Sequence, residues 1–202
     1  MKGGTPMLVI GLAGGSGSGK GIASKQFKAS GIPVFNCDAC YHRMISRNGP
    51  LTRDLAEEFG DGVLKANGGI DRRALFARAF GDEKQREKLN ALSHRRILLR
   101  MHEWIREREQ AGAKAVLIDA PLLFEAGLDR ECDRTVVVIA PPGVRIQRIV
   151  RRDKISPEEA ERRIAAQIPD EELRRRADCV LQNDGDLEQL KKQVEDFLNT
   201  IN

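Results

Sequence analysis

The residues best able to do chemistry stand together near the start of the chain, in Gly11-Leu12-Ala13-Gly14-Gly15-Ser16-Gly17-Ser18-Gly19-Lys20-Gly21. Gly14 followed by Gly19-Lys20 matches the spacing of a phosphate-binding loop through its lysine. Such a loop works by converging backbone N–H groups on phosphate oxygens. Gly14, Gly15, Gly17 and Gly19, with Ser18 among them, permit the dihedrals this needs and keep bulky side chains off the anion. The helix opened by Lys20, Gly21 and Ile22 aims its positive end at the same point, and Lys20 adds a full charge. A flexible Gly/Ser turn would account for the glycines but not for the strand, lysine and helix around them. The chemistry implied is capture of a nucleoside triphosphate. One position departs from the pattern. The residue after the lysine is ordinarily Ser or Thr, whose hydroxyl ligates magnesium, and here it is Gly21, so the ion would lose one oxygen ligand, a gap that a water could fill.

Two carboxylates end apolar runs. Val34-Phe35-Asn36-Cys37-Asp38 sets Asp38 just past a strand, where open parallel sheets bind ligands and where a carboxylate can accept or orient a hydroxyl proton. Ala115-Val116-Leu117-Ile118-Asp119 ends in a carboxylate suited to holding magnesium, directly or through water. Aspartate is also a favoured helix cap. Chemistry is the expectation for Asp38, and both readings stand for Asp119. Arg145, Arg148 and Arg152 recur at helical spacing, and guanidinium forks suit the charge of a migrating phosphoryl group. A solvated helix face paired with Glu158–Glu161 is the plainer reading, so one or two of these arginines are expected to be functional.

The elements that must position these groups alternate. Strands are expected at Met7–Ala13, Pro33–Asn36, Ala115–Asp119, Thr135–Ala140 and Cys179–Gln182, mostly as continuous apolar runs suited to burial on both faces of a parallel sheet. Helices are expected at Lys20–Ala29, over Glu83–Glu109 with an interruption near Ser93-His94, from Ser156-Pro157-Glu158-Glu159 to before Pro169, and over Asp186–Asn199. The fold class is therefore α/β with a doubly wound sheet. Nearly eighty residues separate the second and third strands, broken by Asn48-Gly49-Pro50 and Asn67-Gly68-Gly69. That is too much for one crossover and predicts a helical insertion, while the arginine-rich stretch Arg152–Arg176 predicts a short helical arm.

Composition sets the outer bounds. The chain has 202 residues, 41% hydrophobic and 32% charged, as globular rather than disordered chains do. No apolar run approaches the ~20 residues of a membrane span, and Met1–Pro6 has no apolar stretch of signal-peptide length, so a cytoplasmic setting is expected. With 34 basic against 30 acidic residues the net charge is +4, a smaller excess than a nucleic-acid partner calls for. Cys37, Cys40, Cys132 and Cys179 are expected to be reduced thiols, and Cys37-Asp38-Ala39-Cys40 reads as incidental residues at a strand–helix junction rather than a redox or zinc motif.

From about Met7 to Asn199 the chain resembles the dephospho-coenzyme A kinases, members of the P-loop kinase superfamily. The resemblance rests on Gly11–Lys20, Asp38, Phe59-Gly60, Asp71-Arg72, Leu89-Asn90 with His94, Asp119-Ala120-Pro121-Leu122-Leu123-Phe124-Glu125, Arg148 with Arg152-Asp153, Ala166-Gln167, and Ala177-Asp178 with Asn183 and Gly185. It implies a three-layer P-loop kinase fold with a parallel five-stranded sheet. The core would be about 7–40, 112–150 and 177–202, with a helical acceptor-binding insertion at about 41–111 and a lid at about 151–176. It implies transfer of the γ-phosphate of ATP to the ribose 3′-hydroxyl of dephospho-coenzyme A, with Mg2+ as the accompanying ion. Gly17–Ile22 would cradle the phosphates, with Lys20, Arg148, Arg152 and Asn183 beside the nucleotide. Asp38 would be the base, and Arg72, His94, Leu123 and Glu125 would face the acceptor. Asn36 stands where the family usually has an acidic residue, Gly21 where it has Ser, and Arg95 where it has proline after the histidine. A kinase for another small alcohol or nucleoside, or an ATP-binding regulator with impaired catalysis, would use the same loop.

Overall fold

The five segments expected to be strands form five strands. In the computed structural model, which describes residues 6–201, these are β1 (Leu8–Ala13), β2 (Val34–Asn36), β3 (Ala115–Asp119), β4 (Arg134–Ile139) and β5 (Cys179–Gln182). Of the segment Met1–Pro6, read above for export, only Pro6 lies among the described residues. The strands make one sheet in the order β2-β3-β1-β4-β5. β1 runs parallel to both β3 and β4, and β4 parallel to β5. The chain thus leaves β1 for one side of the sheet and later returns to its other side, and the carboxyl end of β1 is the switch point where such sheets bind ligands.

Alternation along the strands divides the apolar residues between two faces. Ile10 and Leu12 of β1, Leu117 of β3, Val136 and Val138 of β4 and Leu181 of β5 form one face. Against it pack Ala23 and Phe27 from α1 (Lys20–Ala29) and Leu190, Val194, Phe197 and Leu198 from α9 (Leu187–Asn199), the ninth and last α-helix among the described residues. Phe27 and Phe197 meet edge to face with ring centroids 5.9 Å apart, and fully burying a side chain of this size stabilises the fold by about 1.5–3 kcal/mol. On the opposite face Gly11 lies so close to Leu123 and Cys132 that an added Cβ would meet the Cys132 sulfur at 2.8 Å and Leu123 at 2.9 Å. Burial from both sides is the reason the strands read as unbroken apolar runs.

Contacts divide the chain into two compact units, one holding the residues up to Phe35 and from Arg108 onward, the other Asn36–Glu107. Besides the sheet, the first unit holds α6 (Pro142–Asp153), α7 (Pro157–Ala165) and α8 (Asp170–Arg176). Ser156 starts α7 as its sequence predicts, its hydroxyl accepting the Glu159 N–H at 3.2 Å with Pro157 in the first turn.

The second unit holds α2 (Cys37–Met44), α3 (Pro50–Phe59), α4 (Arg72–Ala79) and most of α5 (Glu83–Gln110). Its core includes Leu51, Leu55, Phe59, Val63, Leu75 and Met101, all buried. Asn48 takes a left-handed conformation (φ 59°) ahead of Pro50, and Gly68 (φ 78°) turns the chain between the bridged residues Leu64 and Ile70. The interruption expected near Ser93-His94 does not occur. α5 runs unbroken for 28 residues because that stretch has neither proline nor glycine to break the ladder, and the buried Ser93 packs inward.

Candidate functional site

The loop between β1 and α1 is glycine-rich because other chain segments press on it. Gly17 (φ 76°) has the Arg145 backbone carbonyl 2.6 Å from where a Cβ would lie, and Gly19 (φ 98°) has the Asn183 amide in that place. Both positions are left-handed and both are filled, so only glycine fits. Gly14 is similarly closed by the Val138 carbonyl oxygen and Ser18 Oγ, each 2.8 Å from a notional Cβ, and Gly15 by Arg145 and Gln167. Gly21 is the exception, exposed and with nothing within 4 Å of a Cβ.

α1 starts at Lys20 with Gly19 as its cap residue and no side-chain cap. The N–H groups of Lys20 and Gly21 therefore stand at a helix start that supplies no acceptor of its own, which with the helix dipole makes an anion site. Two other amides are turned inward. Ser18 N–H donates to Gly15 O at 3.1 Å, and Ile22 N–H to Gly19 O at 2.8 Å. The Ile22 N–H closes the first turn of α1.

Lys20 and Asp119, singled out in different parts of the sequence, form an ion pair at the carboxyl edge of the sheet, their side chains 14% and 4% exposed. Asp119 is the last residue of β3 and does not cap a helix. Arg148 on α6 sends one guanidinium nitrogen to the carbonyl oxygens of Gly17 (3.2 Å) and Ser18 (3.5 Å), and the other to Asn183 O (3.3 Å) and Oδ1 (3.4 Å). Asn183 follows β5 and is buried, and its Nδ2 donates to Ser18 O at 2.6 Å. The structure therefore brings Gly14–Gly21, Lys20, Asp119, Arg148 and Asn183 into one cluster.

The sequence did not single out the most buried arginine of the group. Arg145 is 3% exposed. Its Nε donates to Ser16 O at 2.9 Å, Nη1 to Asp170 Oδ1 at 2.8 Å and Nη2 to Gln167 Oε1 at 2.9 Å. The same Gln167 oxygen accepts the Ser16 N–H at 2.9 Å. Spacing alone makes Arg145, Arg148 and Arg152 equivalent, and only the fold separates them. Arg152 is exposed and pairs with the neighbouring Asp153 at 2.7 Å, which also receives Arg163 at 2.9 Å. It stands apart from the loop hydrogen bonds made by Arg145 and Arg148. None of the three pairs with Glu158–Glu161; Arg163 is what meets Glu159.

Among the residues expected to face the acceptor, Leu123 is completely buried beneath Gly11, so its side chain supports β1 from below. Glu125, two residues on, is exposed. Beside this turn the Arg176 guanidinium lies over the Phe124 ring, 4.5 Å from its centroid.

The second unit carries the remaining residues. Asp38 is exposed in the first turn of α2. It is not the cap of that helix: Asn36 is, its Oδ1 accepting the Ala39 N–H at 2.7 Å. Capping therefore explains Asn36 and leaves the Asp38 carboxylate for another role. Arg72 opens α4 and is exposed. It lies near Tyr41, whose phenol is pushed up by burial, an effect opposed by the Arg72 guanidinium and by Ser93. His94, next to Ser93, is half-buried, and burial lowers its pKa below the usual imidazole value. Cys37 and Cys40 are buried on α2, and burial raises the Cys40 thiol, which opposes thiolate chemistry.

A magnesium ion of the kind expected with a triphosphate needs oxygen donors. The Asp119 carboxylate ends a strand beside the loop, and Ser18 Oγ is buried with no hydrogen-bond partner among the described residues. The open space at Gly21 leaves room for water. No group of three or more His, Cys, Asp or Glu among the described residues could hold a metal unaided. The donors fit an ion carried in with the phosphates, held by one carboxylate and waters.

Comparison with known proteins agrees with this arrangement. The family model described as dephospho-CoA kinase matches residues 8–189. A dephospho-CoA kinase from Corynebacterium glutamicum is 38% identical over 200 residues, spanning 97% of this chain and 100% of the relative. One from Bacillus licheniformis is 37% identical over 193 residues, 96% of each. Among solved structures, a Thermus thermophilus protein superposes with a TM-score of 0.83 at 33% identity, over 98% of this chain and 100% of its own. With a phosphate loop, its lysine–aspartate pair and a five-stranded parallel sheet in place, the chain belongs to the dephospho-CoA kinase family.

Proposed function

We propose that this protein transfers the γ-phosphate of ATP to the ribose 3′-hydroxyl of dephospho-coenzyme A, releasing coenzyme A and ADP in the last step of coenzyme A synthesis. The observation that carries the reading is the built anion nest at the carboxyl end of β1, with Lys20 and Asp119 paired beside it. The amides at the start of α1 and Lys20 bind the β- and γ-phosphates, and Lys20 leaves Asp119 to do so. Arg148 and Asn183 hold the loop, and Arg152 reaches the nucleotide after leaving Asp153. Asp119, with water, would hold a magnesium ion, which would supply positive charge beside the phosphates.

In the transfer the 3′-oxygen attacks the γ-phosphorus, its proton passes to the Asp38 carboxylate, and the bond to the β-phosphate oxygen breaks to give ADP. Arg72 and His94, in the insertion at about 41–111, and Glu125 are the proposed acceptor contacts. The arm at about 151–176 acts as the lid that excludes water. The free cysteines accord with a cytoplasmic setting. The test is ADP release measured with dephospho-coenzyme A, adenosine and other small alcohols, with and without magnesium, for the natural protein and Lys20→Ala. Magnesium-dependent release stimulated by dephospho-coenzyme A alone, and lost in the variant, is expected. Equal rates on every acceptor, or full turnover without Lys20, would refute the assignment.

A further inference from the structure

Ser16 is held on both of its backbone groups, and neither hold comes from the strand or helix that flank it. Arg145 takes its carbonyl and Gln167 takes its N–H, while Arg145 and Gln167 are bonded to each other and Asp170 takes the remaining guanidinium edge. We infer that Arg145 and Gln167 are positioning residues that fix the Gly15–Gly17 arc of the loop in its phosphate-receiving shape before the nucleotide arrives, with Asp170 orienting the arginine. The inference rests on the reading of this loop as the ATP site and goes beyond it.

The physical need is plain. A glycine-rich arc loses more conformational freedom on ordering than any other sequence, and an unclamped arc would lose it at the moment of binding, at the expense of affinity. The clamp removes that freedom in advance. Its burial suits such a role, since Arg145 is nearly inaccessible, and its side chain closes the space beside Gly15 while its backbone closes that beside Gly17. The Ser16 N–H is already engaged by Gln167, so the pair acts through the loop and not by touching phosphate. Gln167 lies between α7 and α8, so the same hydrogen bond ties the arm to the loop.

The experiment is Gln167→Ala, followed by calorimetric titration with ATP and separately with dephospho-coenzyme A, steady-state kinetics, and hydrogen exchange of the unliganded loop. Loss of a hydrogen bond shared with a guanidinium predicts that Kd and KM for ATP rise about tenfold. The value of kcat should stay within about threefold of the natural one, dephospho-coenzyme A affinity should be unchanged, and the Ser16 amide should exchange faster. Asp170→Asn should move ATP affinity the same way by about threefold, and it carries the test if the alanine variant does not fold. ATP affinity unchanged or tightened in both variants would overturn the inference, as would a fall confined to kcat. Absence of ATP binding by the natural protein would instead remove the loop reading, and this inference with it.

Discussion

Removing Lys20 should cost stability as well as activity, and the two can be read separately. Its ammonium pairs with an Asp119 carboxylate whose side chain is only 4% exposed. Deleting one partner of such a pair leaves the other charge buried, which typically costs about 3–5 kcal/mol. Because the lysine side chain keeps 14% exposure, the pair is not sealed from water, and the lower end, about 3 kcal/mol, is the expectation for Lys20→Met. In a chain of this length that corresponds to a Tm lower by about 6–12 °C. Asp119→Asn should cost less, about 1–2 kcal/mol, since a lysine at the rim can turn to solvent. The double variant leaves no buried carboxylate deprived of its lysine and should unfold at a higher temperature than Lys20→Met alone. The assay is thermal unfolding of the four proteins without nucleotide, completing a double-mutant cycle. A Lys20→Met protein as stable as the natural one, or a double variant less stable than that single, would refute the argument.

Other outcomes follow from the same geometry. Asp38→Asn should leave calorimetric ATP binding and Tm unchanged while slowing transfer by about 10²–10⁴-fold; an unaltered rate removes it as the base. Gly21→Ser has free space for its side chain and should fold normally. It should need less magnesium for half-maximal rate, and an unchanged magnesium curve would mean that water already serves as well. His94 has a lowered pKa in the folded protein, so the unfolded chain takes up its proton first. Stability contributed by the neutral imidazole is present above the unfolded pKa of about 6.5 and is lost as pH falls through the folded value. Comparison of natural and His94→Gln proteins by denaturant titration between pH 7.5 and about 5 should show the smaller loss for the variant; parallel pH curves would contradict it.

The sheet and the helices α1, α5, α7 and α9 are legible in the sequence because local signals there agree with tertiary demand. Apolar runs of strand length become β1, β3, β4 and β5 to within a residue or so, and Ser156-Pro157 opens α7 with the predicted cap. The loop is legible because glycine spacing and lysine mark it directly. Three features are not. α5 ignores a polar Ser-His pair because no backbone group is lost there. Leu123 sits in a motif of functional appearance, yet its side chain faces inward beneath Gly11. Arg145 looks like Arg148 and Arg152 along a helix, and its partners Ser16, Gln167 and Asp170 come from separate segments that only folding brings together. Sequence spacing shows which face of a helix a residue shares, not what that face meets.

The clasp between Asn183 and Ser18 joins positions separated by 165 residues of chain. During synthesis the loop emerges early, but it lacks this fastening until β5 has left the ribosome and docked beside β4. The loop's full set of hydrogen bonds is thus completed only once that distant strand is in place. A ligand that binds the finished loop and not its precursors draws the population toward the native form by mass action.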